Sequence, residues 1–388
     1  MVVHSPVHRQ PHGSGSVAVV STYPPTRCGL ATFSESLVRA IEAQQPRGTV
    51  GVLEVVDQLS RHRHGDVIGQ LAGGDGRSLT AAAMTLEMFD VVLLQHEYGI
   101  FPGPDGAAVL DLLDRVTTPV VTVLHTVLSR PTRSQRIVLE QVVAKSAAVV
   151  VMTHTARDRL RTTYGVDSNR VEVIPHGAAL PLAASPPPAA RPTMLSWGLL
   201  GPGKGIEHAI DALALLQDLR PQPGYVIAGQ THPKVRGRTG DAYREMLMAR
   251  ARDRGVADQI EFDDRYVSQT VLTALIHQAD VVVLPYESRE QVTSGVLVDA
   301  VACGRPVIAT AFPHAVELLP RGAGLVVPHD DPAALAGALR RCFTEPRLAE
   351  RLRAGARALA PEMSWDAVAS RYLALAAEVT VARTPSVA

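Results

Sequence analysis

Short apolar, β-branched runs alternate with longer amphipathic segments along nearly the whole chain, and this alternation is what most narrows the fold. The runs at 16–21, 49–56, 91–95, 120–124, 148–152 and 171–174 read as strands. Amphipathic stretches lie between most of them, for example 31–43 and 132–145. Near-continuous apolar strands separated by helices build a parallel sheet, because each crossover lays a helix on one of its faces. Pro119 stands just before the fourth run, where a missing N–H is tolerated.

The pattern breaks once. Residues 178–192 read AALPLAASPPPAARP. A segment holding Pro181, Pro186, Pro187, Pro188 and Pro192 can be neither helix interior nor central strand. We read 181–192 as a linker between domains. A second series follows, with strands at 193–197, 224–228, 259–262, 281–284, 306–309 and 324–327. Helical patterns fall at 206–219, 243–254, 269–278, 295–302 and 332–343, and two more, 346–360 and 365–379, close the chain. The expected architecture is α/β: two doubly wound, Rossmann-like domains, 16–180 and 193–363, facing each other across a cleft. The helix within 364–380 is expected to cross back to the first domain. Residues 1–15, MVVHSPVHRQPHGSG, lack an apolar core of signal-peptide length and read as a disordered tail.

Composition removes several function classes. Lys plus Arg equals Asp plus Glu at 38 each, so the chain lacks the basic excess of a protein whose main partner is nucleic acid. No stretch approaches the roughly 20 apolar residues that span a bilayer. A soluble, cytoplasmic protein is expected, with peripheral membrane contact and a homodimer left open. Cys28, Cys303 and Cys342 are too sparse for a disulfide framework or a zinc cluster. No metal ligand set stands out.

In doubly wound sheets, ligands bind beyond the carboxyl ends of the strands. After the first strand, Gly29 ends a loop and enters a helix, where backbone amides can meet an anion; a tight turn would also explain it. After the fourth, His125 points into the crevice, able to bond a sugar hydroxyl or phosphate or to cap the next segment. Arg27, His96, Glu97 and Tyr98 follow strand ends and form a candidate acceptor side. His154 reads as structural, beside a Thr153 or Thr155 cap.

The second series opens on Trp197-Gly-Leu-Leu-Gly-Pro-Gly-Lys204-Gly, close to a P-loop. Gly205 stands where that motif needs Ser or Thr for Mg²⁺, which disfavours a nucleoside triphosphatase. Lys204 still brings a cation to a helix start, where a diphosphate would bind. The segment from Leu284 to Ile308 runs strand, polar loop, helix, Gly turn, strand. In it Arg289 and Gln291 stand in the loop. Ser294, Gly295 and Val296 open the helix with amides expected to be free for phosphate, and Asp299 lies a turn further on, where it can accept two ribose hydroxyls. Plain capping and dipole roles would explain Ser294 and Asp299 as well.

Taken together, the Gly29 loop, His125, Val173-Ile-Pro-His-Gly177, Lys204-Gly205, Ala228-Gly229, the Pro285–Asp299 segment and Cys303-Gly-Arg-Pro-Val-Ile308 resemble the retaining glycosyltransferases of the GT-B fold, family 4 (glycosyl transferases group 1). The resemblance covers 17–371 and implies a donor diphosphate held by the second domain, a base held near Tyr266 and Val267, and His125 on the transferred sugar. It implies that Lys204 neutralises the leaving diphosphate, with Gln291 at the sugar, and that configuration is retained without a metal or other cofactor. The donor reads as GDP-mannose ahead of UDP-glucose, and the acceptor as a saccharide. Two positions depart from the family: Gln291 and Asp299 replace a Glu pair, and Leu199 stands where an Arg often accompanies the Lys. A sub-branch with the same Gln-x-x-Ser-Gly pattern makes this a variant site. Rival readings are a nucleotide-sugar epimerase or hydrolase, which needs carboxylates placed at the sugar, and a non-catalytic nucleotide-sugar binder.

Overall fold

A computed structural model describes residues 15–60, 65–180, 191–265 and 268–383. The expected tail before Gly15, most of the expected linker, and Tyr266 and Val267 lie outside the described residues. The chain forms two compact units, Met1–Gly177 with Trp365–Ala388, and Ala178–Ser364.

The first unit is built on a seven-stranded sheet. Its strands are β1 (Val17–Ser21), β2 (Val50–Val56), β3 (Val67–Ala72), β4 (Val91–His96), β5 (Val120–Leu124), β6 (Ala148–Val151) and β7 (Val171–Val173). They lie in the order β3-β2-β1-β4-β5-β6-β7, and every pairing is parallel. The central strands are buried along their whole length, which is why they read as unbroken apolar runs. The helix Gly29–Gln44 turns Phe33, Leu37, Val38 and Ile41 to the core. Each such side chain contributes roughly 1.5–3 kcal/mol on full burial.

The second unit repeats the plan with six strands. They are β8 (Thr193–Trp197), β9 (Gly224–Ala228), β10 (Ile260–Asp263), β11 (Val281–Leu284), β12 (Val307–Thr310) and β13 (Gly324–Val327). The order is β10-β9-β8-β11-β12-β13, again all parallel. Each sheet therefore reverses its winding once, between β1 and β4 and between β8 and β11. Loops leaving those four strands are where such sheets bind ligands.

The last helix, Trp365–Arg383, belongs to the first unit. Gln44 Nε2 donates to Asp366 O at 2.9 Å, Ser370 Oγ donates to Gln44 Oε1 at 2.8 Å, and Val368, Ala369 and Tyr372 are buried with Phe33 and Leu37. Gly177 makes room for the Trp365 ring, since a Cβ there would stand 2.2 Å from it.

Several elements differ from expectation, among them the short helices Pro233–Thr239 and Pro313–Leu318, which no expected helix covered. Strand β3 went unread because Gly69 and Gln70 interrupt its apolar pattern. It lies at the sheet edge, where Gln70 donates to the buried Glu54 at 2.9 Å. The helix expected over 206–219 ends at Ala214. Leu215 and Leu216 donate to carbonyls three residues back, tightening the chain into a turn before Pro221.

Candidate active site

Three contacts stitch the loop after β8 to the loop after β11. Glu287 N–H donates to Gly203 O at 3.0 Å. Gly205, at φ +63°, presses its backbone against Pro285, so that a Cβ would lie 1.9 Å from Pro285 O. Gly198, at φ +119°, faces the Val296 side chain. The fold thus leaves no room for the Ser or Thr that a true P-loop needs at position 205. Lys204 rides on this joint. Its Nζ lies 4.5 Å from the centre of the Tyr286 ring, which itself stacks on Phe312. Among the described residues no carboxylate pairs with it, and the aromatic face holds the cation without cancelling its charge, so it stays available to an anion.

The helix Gly295–Ala302 starts beside Gly198. Its cap corrects one expectation. The Ser294 amide is not free for phosphate, because it donates to His314 Nδ1 at 2.9 Å, and Ser294 Oγ takes the Leu297 amide at 3.2 Å. Among the described residues the amides left without an acceptor at this helix start are those of Gly295 and Val296. Both residues are partly exposed. Gln291 Nε2 donates to Thr293 O at 3.1 Å within its own loop. Thr293 Oγ1 and the Tyr286 hydroxyl are buried and, among the described residues, without a hydrogen-bond partner, an unusual pair of unspent polar groups so near one loop. Asp299 keeps an accessible edge, yet burial pushes its carboxyl up to about 7.

Arg289 is exposed and lies 3.8 Å from Asp330. Asp330 also stands 3.4 Å from His208 Nε2, and Glu287 stands 3.6 Å from the same nitrogen. These three groups are of metal-ligand type, but Arg289 shares the same field, and we read them as a surface charge network. Leu199 brings no cation. Its neighbour Leu200 pairs with the loop after β9, donating to Gln230 O and accepting from His232 N–H, both at 2.8 Å. That loop leads into the helix Pro233–Thr239, which carries the exposed Lys234. His232 is held below its ordinary value by burial, then by the charges of Lys234 and Lys204.

In the first unit, Gly29 opens its helix with ordinary backbone geometry and open space where a Cβ would stand. The fold itself therefore does not demand glycine there. Cys28 is the N-cap, its Sγ accepting from Ala31 N–H at 3.4 Å, and Arg27 is exposed. His125 shares a 2.8 Å hydrogen bond with Gln95 Oε1 and meets Phe33 edge-on at 4.8 Å. Burial, then the nearby His176 and His96, lowers its pKa to about 3, so the ring is neutral. With Nε2 donating to Gln95, Nδ1 carries the bare lone pair. His176 is also neutral, lowered by burial to about 4, and its Nδ1 donates to Gly177 O at 2.6 Å.

The acceptor-side set needs one correction. His96 is wholly buried, with no partner on either ring nitrogen among the described residues, and burial lowers it to about 4. It closes β4 instead of lining a surface. Glu97 accepts from Thr126 Oγ1 and, at 3.0 Å, from Tyr98 N–H. The Tyr98 hydroxyl donates to Gln135 O at 3.3 Å, and burial keeps it protonated. Both residues remain partly exposed. His154 is the first residue of the helix His154–Tyr164, capped by Thr153.

Lys234 and His314 were missed as candidates, and Gln95, read with His96, Glu97 and Tyr98 as a strand end that could line an acceptor pocket, was missed as the partner of His125. His314 stands just beyond a strand carboxyl end, so the strand-end rule could have found it. No local pattern marks Lys234.

Residues 51–180 match the family described as Glycosyltransferase Family 4, and 183–359 match Glycosyl transferases group 1. The D-inositol 3-phosphate glycosyltransferase of Jonesia denitrificans is 31% identical over 98% of this chain and 96% of its own length. The protein of the same name from Xylanimonas cellulosilytica is 30% identical, over 82% of this chain and 79% of its own. Among solved structures, sucrose-phosphate synthase from Thermosynechococcus elongatus superposes with a TM-score of 0.73 at 19% identity, covering 95% of this chain and all, 100%, of that one. Anabaena HepE in complex with UDP and glucose gives 0.74 at 17% identity, covering 92% and 98%. The chain belongs to the family 4, group 1 glycosyltransferases and has their two-domain GT-B fold.

Proposed function

We propose that the protein transfers a hexose, with retention of anomeric configuration and without a metal, from a nucleoside-diphosphate hexose to a hydroxyl of a saccharide or cyclitol acceptor. The observation that carries this reading is the arrangement around Lys204. An ammonium with no carboxylate on it among the described residues lies in one loop, and two open amides at Gly295 and Val296 and a carboxyl at Asp299 lie on the helix that follows a second loop bonded to the first. A diphosphate needs the first two and a ribose the third. GDP-mannose comes first and UDP-glucose second in the order of donors to test. The names of the D-inositol 3-phosphate glycosyltransferases make an inositol phosphate the first acceptor to try beside oligosaccharides.

In the proposed reaction the bond between the sugar C1 and the diphosphate oxygen breaks, and its electron pair leaves with the phosphate. The acceptor hydroxyl forms the new bond on the same face of C1 and passes its proton to the departing phosphate oxygen. Lys204 and the amides stabilise the charge that grows on that oxygen, the kind of fixed electrostatics that contributes most to such steps. His125, neutral and with Nδ1 bare, is the acceptor for a sugar hydroxyl. Gln291 is assigned to the sugar, and Arg289 and Lys234 to the outer field of the diphosphate. The rival hydrolase and epimerase readings need a carboxylate at the sugar. Of the two named positions one is the amide Gln291, and Asp299 is assigned to the ribose.

The test is a donor panel by thermal shift, followed by transfer assays with the stabilising donor. A specific donor raises the melting temperature. Lys204→Met keeps the aliphatic stem over Tyr286 and removes the charge, so kcat should fall about 100-fold or more at unchanged stability. Normal turnover in Lys204→Met removes the reading, as does release of free sugar in place of transfer. Full activity in EDTA supports metal independence, and an anomeric coupling in the product that differs from the donor's rejects retention.

A further inference from the structure

We propose that His314 is a positioning residue for the donor site: it holds the two ends of the Gln291–Ser294 loop and takes the Ser294 amide out of the set that can meet a phosphate. This inference rests on the donor reading above.

His314 follows β12 at the start of the helix Pro313–Leu318 and is 5% exposed. It bonds the loop twice. Its Nδ1 accepts from Ser294 N–H at 2.9 Å, and its own N–H donates to Gln291 O at 3.3 Å. The two contacts fall on the first and last residues of the loop, the Ser294 one across a sequence gap of twenty. The Ser294 hydroxyl is meanwhile spent on Leu297 N–H. A helix start normally offers four unpaired amides together with that of its cap. Here the side chain of Ser294 fills one, His314 fills the cap's own, and those of Gly295 and Val296 stay open. The ring therefore selects which amides face an anion and fixes where Gln291 stands relative to them. An accepting Nδ1 also fixes the tautomer, with the proton on Nε2.

The chemistry allows a discriminating set of variants. In His314→Asn, Oδ1 stands the same number of bonds from Cβ as Nδ1 and can accept from Ser294. In His314→Gln the acceptor is one bond further out. His314→Leu keeps a branched side chain and offers no acceptor. Hydrogen exchange at the Ser294 amide reads the bond directly, without any donor. It should be slow in the wild type and in His314→Asn, and fast in His314→Leu. In donor kinetics, KM should rise about tenfold in His314→Leu and in His314→Gln, and His314→Asn should stay within about threefold of the wild type. Titration with the nucleoside diphosphate alone should show the same order. Melting temperatures of the variants keep a folding defect apart from a site defect.

Three results overturn the proposal. One is a slow Ser294 amide in His314→Leu. Another is a fast amide in folded His314→Leu with unchanged donor KM. The third is a His314→Asn no better than His314→Leu in both measurements. Failure of the donor reading looks different: Lys204→Met would then turn over normally, while the exchange pattern at Ser294 would still follow the His314 variants.

Discussion

Gln95 and His125 share a 2.8 Å hydrogen bond at the ends of two adjacent parallel strands. Gln95 lies opposite Val123 in the register, and His125 is two residues on, so both side chains emerge on one face. The bond settles which imidazole nitrogen carries the proton. The bond to Gln95 and the edge-on Phe33 ring orient the neutral imidazole. Gln95→Leu keeps most of the volume and removes the acceptor. We expect kcat to fall tenfold to a hundredfold, on the order of 1–3 kcal/mol, with donor KM nearly unchanged. Steady-state kinetics with a melting curve checks it; a folded variant with wild-type kcat would falsify the orienting role.

What could be read from the sequence follows from where each piece of information lies. Strands such as β5, β8 and β11 showed their ends because burial on both faces imposes an unbroken apolar run. Ser294 was legible as a cap because capping is a local affair of three residues. Its amide's true partner was not, since His314 lies twenty residues away and reaches it only once β11 and β12 are paired. His96 and His125 are alike on paper, each at a strand end. The sheet separates them: β4 extends through His96 and buries it, whereas β5 stops at Leu124 and leaves His125 an accessible edge.

Gly203 and Gly205 should answer differently to the same change. Both have positive φ, +88° and +63°. A Cβ at Gly203 meets nothing within 4 Å, whereas one at Gly205 would lie 1.9 Å from Pro285 O. Gly203→Ala should cost about 1 kcal/mol of backbone strain and leave donor affinity within a few-fold. Gly205→Ala must move the Lys204 loop away from Pro285, and donor affinity should drop at least tenfold. Calorimetric titration of the two variants with one donor decides the matter, and equal affinities would reject the joint as a determinant of the site.

Asp299 predicts how donor binding depends on pH. Burial pushes its folded-state pKa up from the ordinary aspartate value to about 7, so the folded protein keeps a proton that the unfolded chain releases. Its contribution to stability is therefore present at low pH and lost as pH rises through that window. Ribose hydroxyls that donate to the carboxylate favour its ionised form. Binding should expel a proton, and affinity for a nucleotide sugar should rise about tenfold from pH 6 to pH 8. In Asp299→Asn the curve should be flat, and the ligand-free melting temperature at pH 8 should rise by about 2–4 °C for each kcal/mol recovered. A wild-type affinity without pH dependence would remove Asp299 from the ribose site.

The first unit should fail first in acid. His96, His125 and His176 are held neutral at about 4, 3 and 4, all lowered chiefly by burial. The unfolded chain binds protons on these rings below about 6.5, while the folded unit does not, so stability falls as pH drops through that range. At pH 5 each ring accounts for about 2 kcal/mol, and the sum is smaller than three separate losses because the rings share one cluster. In the second unit the Asp299 carboxyl works in the opposite sense and offsets the two lowered rings there, His232 and His277. The two tryptophans separate the effects, since Trp365 belongs to the first unit and Trp197 to the second. Between pH 7.5 and pH 5, the transition followed by Trp365 in a Trp197→Phe background should fall by on the order of 10 °C. His96→Phe removes a titrating ring that has no hydrogen bond to lose among the described residues, and should recover part of that drop. A common shift of both tryptophan transitions, or no recovery in His96→Phe, would show that acid acts elsewhere than on the buried histidines.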